Sequence, residues 1–156
     1  MFRKMRRFKQ ELDKETCEKI LKEEPRGVLA VLGDEGYPYT VPLDYIYEDG
    51  KIYFHGAKVG HKMDAIKKCD KVSFCVYDKG FKKEGDWALN ISSVVVFGRI
   101  KEIEDREMVF RRVKNLGLKY YPTPESVDEE MKRSAAAVAC LELTIEHMTG
   151  KIINEK

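Results

Sequence analysis

The sequence predicts a mainly β domain: a six-stranded antiparallel β-barrel, closed or split, with flanking helices at its margins. Three observations carry this. Strand-like runs follow one another across GDEG and EDG, separators that each hold a turn-forming Asp and Gly, so successive strands form hairpins. Helical patterns stand at the margins and not between every pair of strands, which excludes a doubly wound parallel sheet, because parallel crossovers need a helix at nearly every step. Gly98 interrupts a long apolar strand where a barrel would bulge or bend.

In chain order, residues 13–24 form a helix. Asp13 is its cap, Glu15 suits its first turn, Cys17, Ile20 and Leu21 share a face, and Pro25 lies just beyond the end. Strands follow at about 27–32, 38–47 and 51–56. Pro38 and Pro42 break the second of these. A proline cannot donate to a ladder, so that strand is an edge, is bulged, or turns its backbone toward something other than a strand, such as a ligand. Residues 60–69 turn helical, with Met63, Ile66 and Cys69 as the inner face, and KVSFCVYD is the fourth strand. A polar loop, 79–87, leads to a long fifth strand over about 89–103. The spacing of Met108, Val109, Val113 and Leu116 predicts a helix over 104–121. Thr123 caps another over 123–137, with Pro124 at the first position, where a missing amide hydrogen costs nothing. In the sixth strand, within 137–153, Leu141, Leu143 and Ile145 alternate with Glu142, Thr144 and Glu146, giving one polar face.

The 156 residues suit a single domain, 1–156, with a basic N-terminal arm over 1–10. A net charge of +2 carries no global nucleic-acid signature. A nucleic-acid reading rests on FRKMRRFK alone, and the expectation is a solvated arm whose apolar residues dock on the body. No window approaches the roughly 18 apolar residues of a membrane span, and Met1 is followed by charge without an apolar signal region, so the expected location is the cytoplasm. The four cysteines form no C-x-x-C pair and are expected as reduced, mostly buried thiols.

The stretch FHGAKVGHKMDAI concentrates the chemistry. Zinc needs three or four ligands, and His55, His61 and His147 have no carboxylate or cysteine at a recognised ligand spacing, so no metal site is expected. No G-x-S-x-G supports a nucleophilic triad. An anion cradle fits better. Gly60 before a helix leaves the first amide donors approachable, and His61 and Lys62 in the first turn oppose the helix dipole unless an anion is bound. Lys58 adds a third donor; the alternative is a solvated basic turn.

PYTVPLDYIYEDGKIYFHGAKVGHKMDAIKKCDKVSF, with SSVVVFGRI downstream, resembles the FMN-binding split-barrel proteins related to pyridoxamine 5'-phosphate oxidase, and among them the nitroimidazole-resistance (Nim) flavoproteins. The likeness runs from about Glu11 to Lys151, and its most specific parts are the proline-bearing strand, FHGAKVGHK and S93VVVFG in that order. The resemblance implies a homodimer with FMN at the subunit interface. Thr40, Val41, Pro42 and Leu43 would run along the flavin ring, and His55, Gly56 and Ala57 would flank the ring and ribityl chain. Gly60, His61 and Lys62 would hold the phosphate, with His61 standing where relatives carry arginine. Nim-like relatives often read Tyr-Arg-Ser where this chain has Ile91, Ser92 and Ser93. Only Ser93 matches, which implies weaker phosphate binding or a charge supplied by Lys58. Trp87 either covers the flavin edge or packs beside the barrel. His55, near its unperturbed pKa of about 6.5, is the candidate for donating a proton or positioning substrate, or else lines the wall.

The function implied is a flavoprotein oxidoreductase that moves electrons from a small-molecule donor to a small acceptor such as a nitroaromatic. A flavin-binding or flavin-buffering protein without turnover is the alternative. A vitamin B6 phosphate oxidase is weaker, since no basic set for a second, substrate phosphate is evident.

Overall fold

The computed structural model describes residues 1–154. The strands are β1 (Glu11–Leu12), β2 (Arg26–Leu32), β3 (Pro38–Asp44), β4 (Ile46–Glu48), β5 (Lys51–Ala57), β6 (Lys71–Tyr77), β7 (Asn90–Glu102) and β8 (Val138–Asn154). The helices are α1 (Lys14–Glu23), α2 (His61–Lys68), α3 (Arg106–Tyr120) and α4 (Pro124–Ser134). All six expected strands are present. The second of them is two, β3 and β4, parted at Tyr45. The two-residue β1, too short to show a period, pairs with the end of β8.

The sheet is antiparallel throughout, in the order β3-β2-β6-β7-β8-β5-β4. Consecutive strands β3 and β4 therefore stand at opposite ends of one sheet. The chain closes the barrel covalently at Tyr45 while the hydrogen-bonding ladder stays open beside β3, which makes this a split barrel. Local chemistry sets each end of the ladder. Asp49 and Gly50, both at positive φ, form the two-residue turn that zips β4 to β5. The expected irregularity at Gly98 is a register shift between Phe97 and Gly98 against β8, where a Cβ would collide with the Thr144 carbonyl oxygen.

The barrel interior holds Leu29, Val31, Phe54, Phe74, Val94, Val96, Leu141 and Leu143. Phe74 packs edge-on against Tyr45 and Phe54, with ring centroids 4.9 and 5.1 Å apart. Asp13 caps α1 as expected, accepting from the Thr16 amide at 2.8 Å, and α1 closes one end of the barrel with Cys17 and Leu21. The polar face expected on β8 is interrupted at Glu142, which is buried. Its carboxylate accepts from Lys51 Nζ at 3.0 Å and from the Tyr53 hydroxyl at 3.1 Å, partners that alternation in one strand cannot reveal. In the N-terminal arm, Phe2 stacks on His147 at 4.6 Å, while Phe8 is exposed.

Candidate functional site

The split begins at Tyr45. β4 pairs with β5 from Glu48↔Lys51 to Ile46↔Tyr53, and the same register continued would set Asp44 against His55 and Pro42 against Ala57. It stops because the Tyr45 backbone is taken by α3. The Tyr45 N–H donates to the Tyr120 hydroxyl at 2.9 Å, and that hydroxyl lies 2.8 Å from the Tyr45 carbonyl and 2.6 Å from the Pro25 carbonyl. Lys119 Nζ donates to the carbonyls of Tyr45 at 3.1 Å and Glu24 at 2.7 Å and sits 3.9 Å over the Tyr45 ring. A strand can leave its neighbour only if its polar backbone groups find other partners, and the end of α3 supplies them.

Beyond Tyr45 the outer edge of β3 pairs with no strand among the described residues, and a recess of about 540 Å³ opens, lined by Arg26, Pro42, Leu43, Asp44 and His55. Thr40 and Pro42 point outward along this edge, and Val41 and Leu43 pack on the core. Arg26 Nε donates to Asp44 Oδ1 at 2.8 Å, so this carboxylate enters the recess already paired. Surrounding protein pushes the His55 imidazole below its usual pKa of 6.5; Asp44 opposes the shift and Lys62 adds to it. His55 is therefore neutral at pH 7, with one ring nitrogen a donor and the other an acceptor.

Gly56, next along β5, is covered by Lys62: a Cβ there would stand 3.1 Å from Lys62 Nζ. Lys62 is half-buried, burial lowers its pKa, and among the described residues it has no carboxylate or carbonyl partner. A lysine held in this way disfavours its own charge unless an anion joins it. An anion placed there would have further donors at hand. Gly60, at φ 129°, starts α2 without a side-chain cap, so the first amides of the helix remain available.

The other expected residues are placed differently. His61 packs against Tyr39, its ring tilted by 32° with centroids 4.3 Å apart, and its Nε2 accepts from the Asp34 amide at 3.3 Å. His61 thereby fastens α2 to the β2–β3 turn. Lys58 Nζ donates to the Ala136 carbonyl at 3.0 Å, beyond the end of α4. Within one chain, Ser92 and Ser93 lie away from the recess. Ser93 pairs with Tyr77 on β6, and the β2–β6 and β2–β3 registers carry that row on toward Arg26 and Asp44, so Ser93 stands three strand spacings, about 14 Å, across the sheet from Asp44. Trp87 is 65% exposed in the loop before β7. Tyr45, Lys119 and Tyr120 were invisible to sequence patterning: no Gly or Pro marks Tyr45 as a break, and KYY reads as an ordinary helix end. Among the described residues no three of His, Cys, Asp and Glu gather as a metal site. No described helix is long and apolar enough to cross a membrane.

Solved structures share this architecture. A candidate 5-nitroimidazole antibiotic resistance protein from Bacteroides thetaiotaomicron aligns with a TM-score of 0.78 at 20% identity, covering 92% of this chain and 87% of its own. A conserved hypothetical protein from Mycobacterium tuberculosis aligns with a TM-score of 0.81 at 15% identity, covering 95% and 90%. A FAD-binding protein from Mesorhizobium loti reaches a TM-score of 0.66 at 24% identity, covering 92% and 97%. At these identities the likeness is one of fold. No curated protein is significantly similar in sequence. The family model described as pyridoxamine 5'-phosphate oxidase matches residues 13–152, a span that runs from the cap of α1 through both sides of the split into the end of β8, and the chain belongs to that family.

Proposed function

We propose that the chain is a flavoprotein that binds FMN along the split between β3 and β5 and passes electrons from a reduced donor, such as a nicotinamide, to a small acceptor such as a nitroaromatic. The observation that carries this reading is Lys62, a half-buried cation with no carboxylate or carbonyl partner among the described residues, set over Gly56 beside the unpaired edge of β3. The FAD-binding neighbour of the same fold supports a flavin. One lysine and one helix start suit a single terminal phosphate, which favours FMN over FAD. The outer edge of β3 offers amide and carbonyl groups to the polar rim of a flat ring. When bound, FMN would supply the two-electron chemistry. This chain would hold the phosphate with Lys62 and the α2 amides, exclude water with Leu43, and set a neutral His55 as a hydrogen-bond donor toward the acceptor.

The proposal includes a homodimer. Ser92 and Ser93 pair with Ile152 and Lys151 of β8, whereas Gly56, beside Lys62, pairs with Ala139, so at least about 40 Å of extended strand runs between the two serines and the Lys62 end of β5 in one chain, and the outer sheet face exposes Leu32, Tyr77 and Phe97. A second copy would cover that face and bring the two serines to the other copy's flavin.

An absorbance spectrum of freshly purified protein, with release and mass identification of any cofactor, tests the reading. A flavin spectrum with released FMN is expected, and light scattering should give twice the chain mass. Protein that stays colourless after incubation with FMN overturns it. Steady-state oxidation of NADH or NADPH with nitro and quinone acceptors then separates an oxidoreductase from a flavin binder: tight FMN retention without turnover favours the binder.

A further inference from the structure

A second cavity, of about 310 Å³, lies between α3 and α4 and meets the first recess at two residues, Asp44 and His55, which line both. Its body is apolar, with Leu116, Val127 and Met131 among the walls. A cavity of about 150 Å³ is enough for benzene, so this one has room for one or two such rings. The charges facing it are of one kind. Asp44 and Glu130 contribute carboxylates, and among the described residues no lysine or arginine lines the space. Both carboxylates are held by arginines at 2.8 Å, Arg26 on Asp44 and Arg133 on Glu130, so neither seeks a cationic ligand. Tyr120 and Ser134 spend their hydroxyls on backbone carbonyls, leaving His55 and the Tyr121 hydroxyl to meet an occupant, and of the two only His55 also faces the first recess.

We propose that this cavity binds the electron acceptor, an uncharged aromatic molecule that reaches His55 from the helix side, and that it rejects anions. The proposal rests on the flavin reading above for the word acceptor, whereas the site and its charge preference stand on the cavity alone. An anionic substrate would meet two carboxylates with no free cation, at a desolvation cost it cannot recover. A substrate phosphate of the vitamin B6 type is kept out of this cavity on the same ground.

Equilibrium dialysis with 4-nitrobenzyl alcohol and 4-nitrobenzoate, the same ring with and without charge, tests this on the protein as purified and after FMN removal. The alcohol is expected to bind at least about tenfold more tightly than the benzoate. Ser134→Phe on α4 and Val138→Phe on β8 each fill the cavity from a different element, so one remains informative if the other fails to fold. Both should weaken the alcohol at least about tenfold while FMN affinity, read by flavin fluorescence, shifts less than about twofold. Glu130→Gln should narrow the gap between the two ligands. Equal binding of alcohol and benzoate, no binding of the alcohol, or unchanged binding in the folded variants overturns the proposal. Failure to retain FMN removes the flavin reading and leaves the dialysis result legible.

Discussion

Residues 38–48 are one run of extended chain with two fates. At its far end, β4 is zipped to β5 in register and closed by the Asp49–Gly50 turn; at its near end, β3 leaves β5 and opens a recess. One helix braces both. Arg112 of α3 binds Glu48 and Asp49 and lies 4.4 Å over the Tyr53 ring, and Asn115 donates to Glu48 at 3.0 Å. Two turns on, Lys119 and Tyr120 take the Tyr45 backbone. Residues 112, 115, 119 and 120 share a face of α3, about 12 Å long. The difference between a closed and an open seam thus lies in which groups a single helix presents: carboxylate ligands hold the turn shut, and backbone ligands keep the strand apart.

Arg112→Ala is expected to have the largest effect on the closed seam. It leaves the Glu48 and Asp49 carboxylates crowded at the turn without their buried guanidinium, at a cost of about 3 kcal/mol in chemical denaturation. FMN affinity of the folded variant should hardly change, since the open seam keeps its ligands; a loss of FMN binding as large as the loss of stability would mean the two seams are not separable. Lys62→Ala is the matching change on the open seam. It should weaken FMN by about 1.5–3 kcal/mol, or roughly 10- to 100-fold in Kd by fluorescence titration, without destabilising the empty protein. An unchanged Kd would remove Lys62 from the phosphate site.

This contrast also divides what was legible in the sequence. The closed seam was: EDG with its flanking alternation announced the hairpin, and Pro42 announced a strand with a free edge. Gly60, Lys62 and the start of α2 were legible because a glycine before a basic helix turn is a local signal. The position of the break was not, because Tyr45 is held by residues 75 positions away and no local pattern reports a side chain bonding to a distant backbone. The same limit applies to Lys58 and His61. Basic residues clustered around a glycine-led helix start read alike in sequence, but the fold turns one to the Ala136 carbonyl and the other to the β2–β3 turn.

Tyr120→Phe removes the hydroxyl that holds the split and nothing else. The Tyr45 N–H, on a fully buried residue, loses its partner, which should cost about 1–2 kcal/mol and lower Tm by roughly 2–8 °C. Hydrogen exchange at the Tyr45 amide should accelerate more than at Tyr53 in β5. If β3 instead zips onto β5 when released, the Tyr45 amide stays protected and FMN affinity falls, and either result locates the control of the split in one hydroxyl.

Lys119 gives the most selective effect, because it is confined to one pH window. Burial lowers its pKa from 10.5 to about 8, with Asp44 and Glu24 opposing the shift. Below pH 8 the ammonium is charged in both folded and unfolded chains, and the cost of burying it is fully present. Between pH 8 and 10.5 the unfolded chain keeps a proton that the folded chain has released, so stability rises with pH through that window. The neutral amine still has two N–H groups, enough for the carbonyls of Glu24 and Tyr45, so the open seam survives the loss of charge. Lys119→Met carries no such titration. The stability difference between the natural chain and this variant, from urea denaturation at pH 7.5 and 10.5, should move toward the natural chain by on the order of 2 kcal/mol. The corresponding difference for Arg112→Ala should stay flat over the same range, because a guanidinium does not titrate there; a parallel rise in both would mean that the pH response belongs to the whole of α3 and not to the group that holds Tyr45.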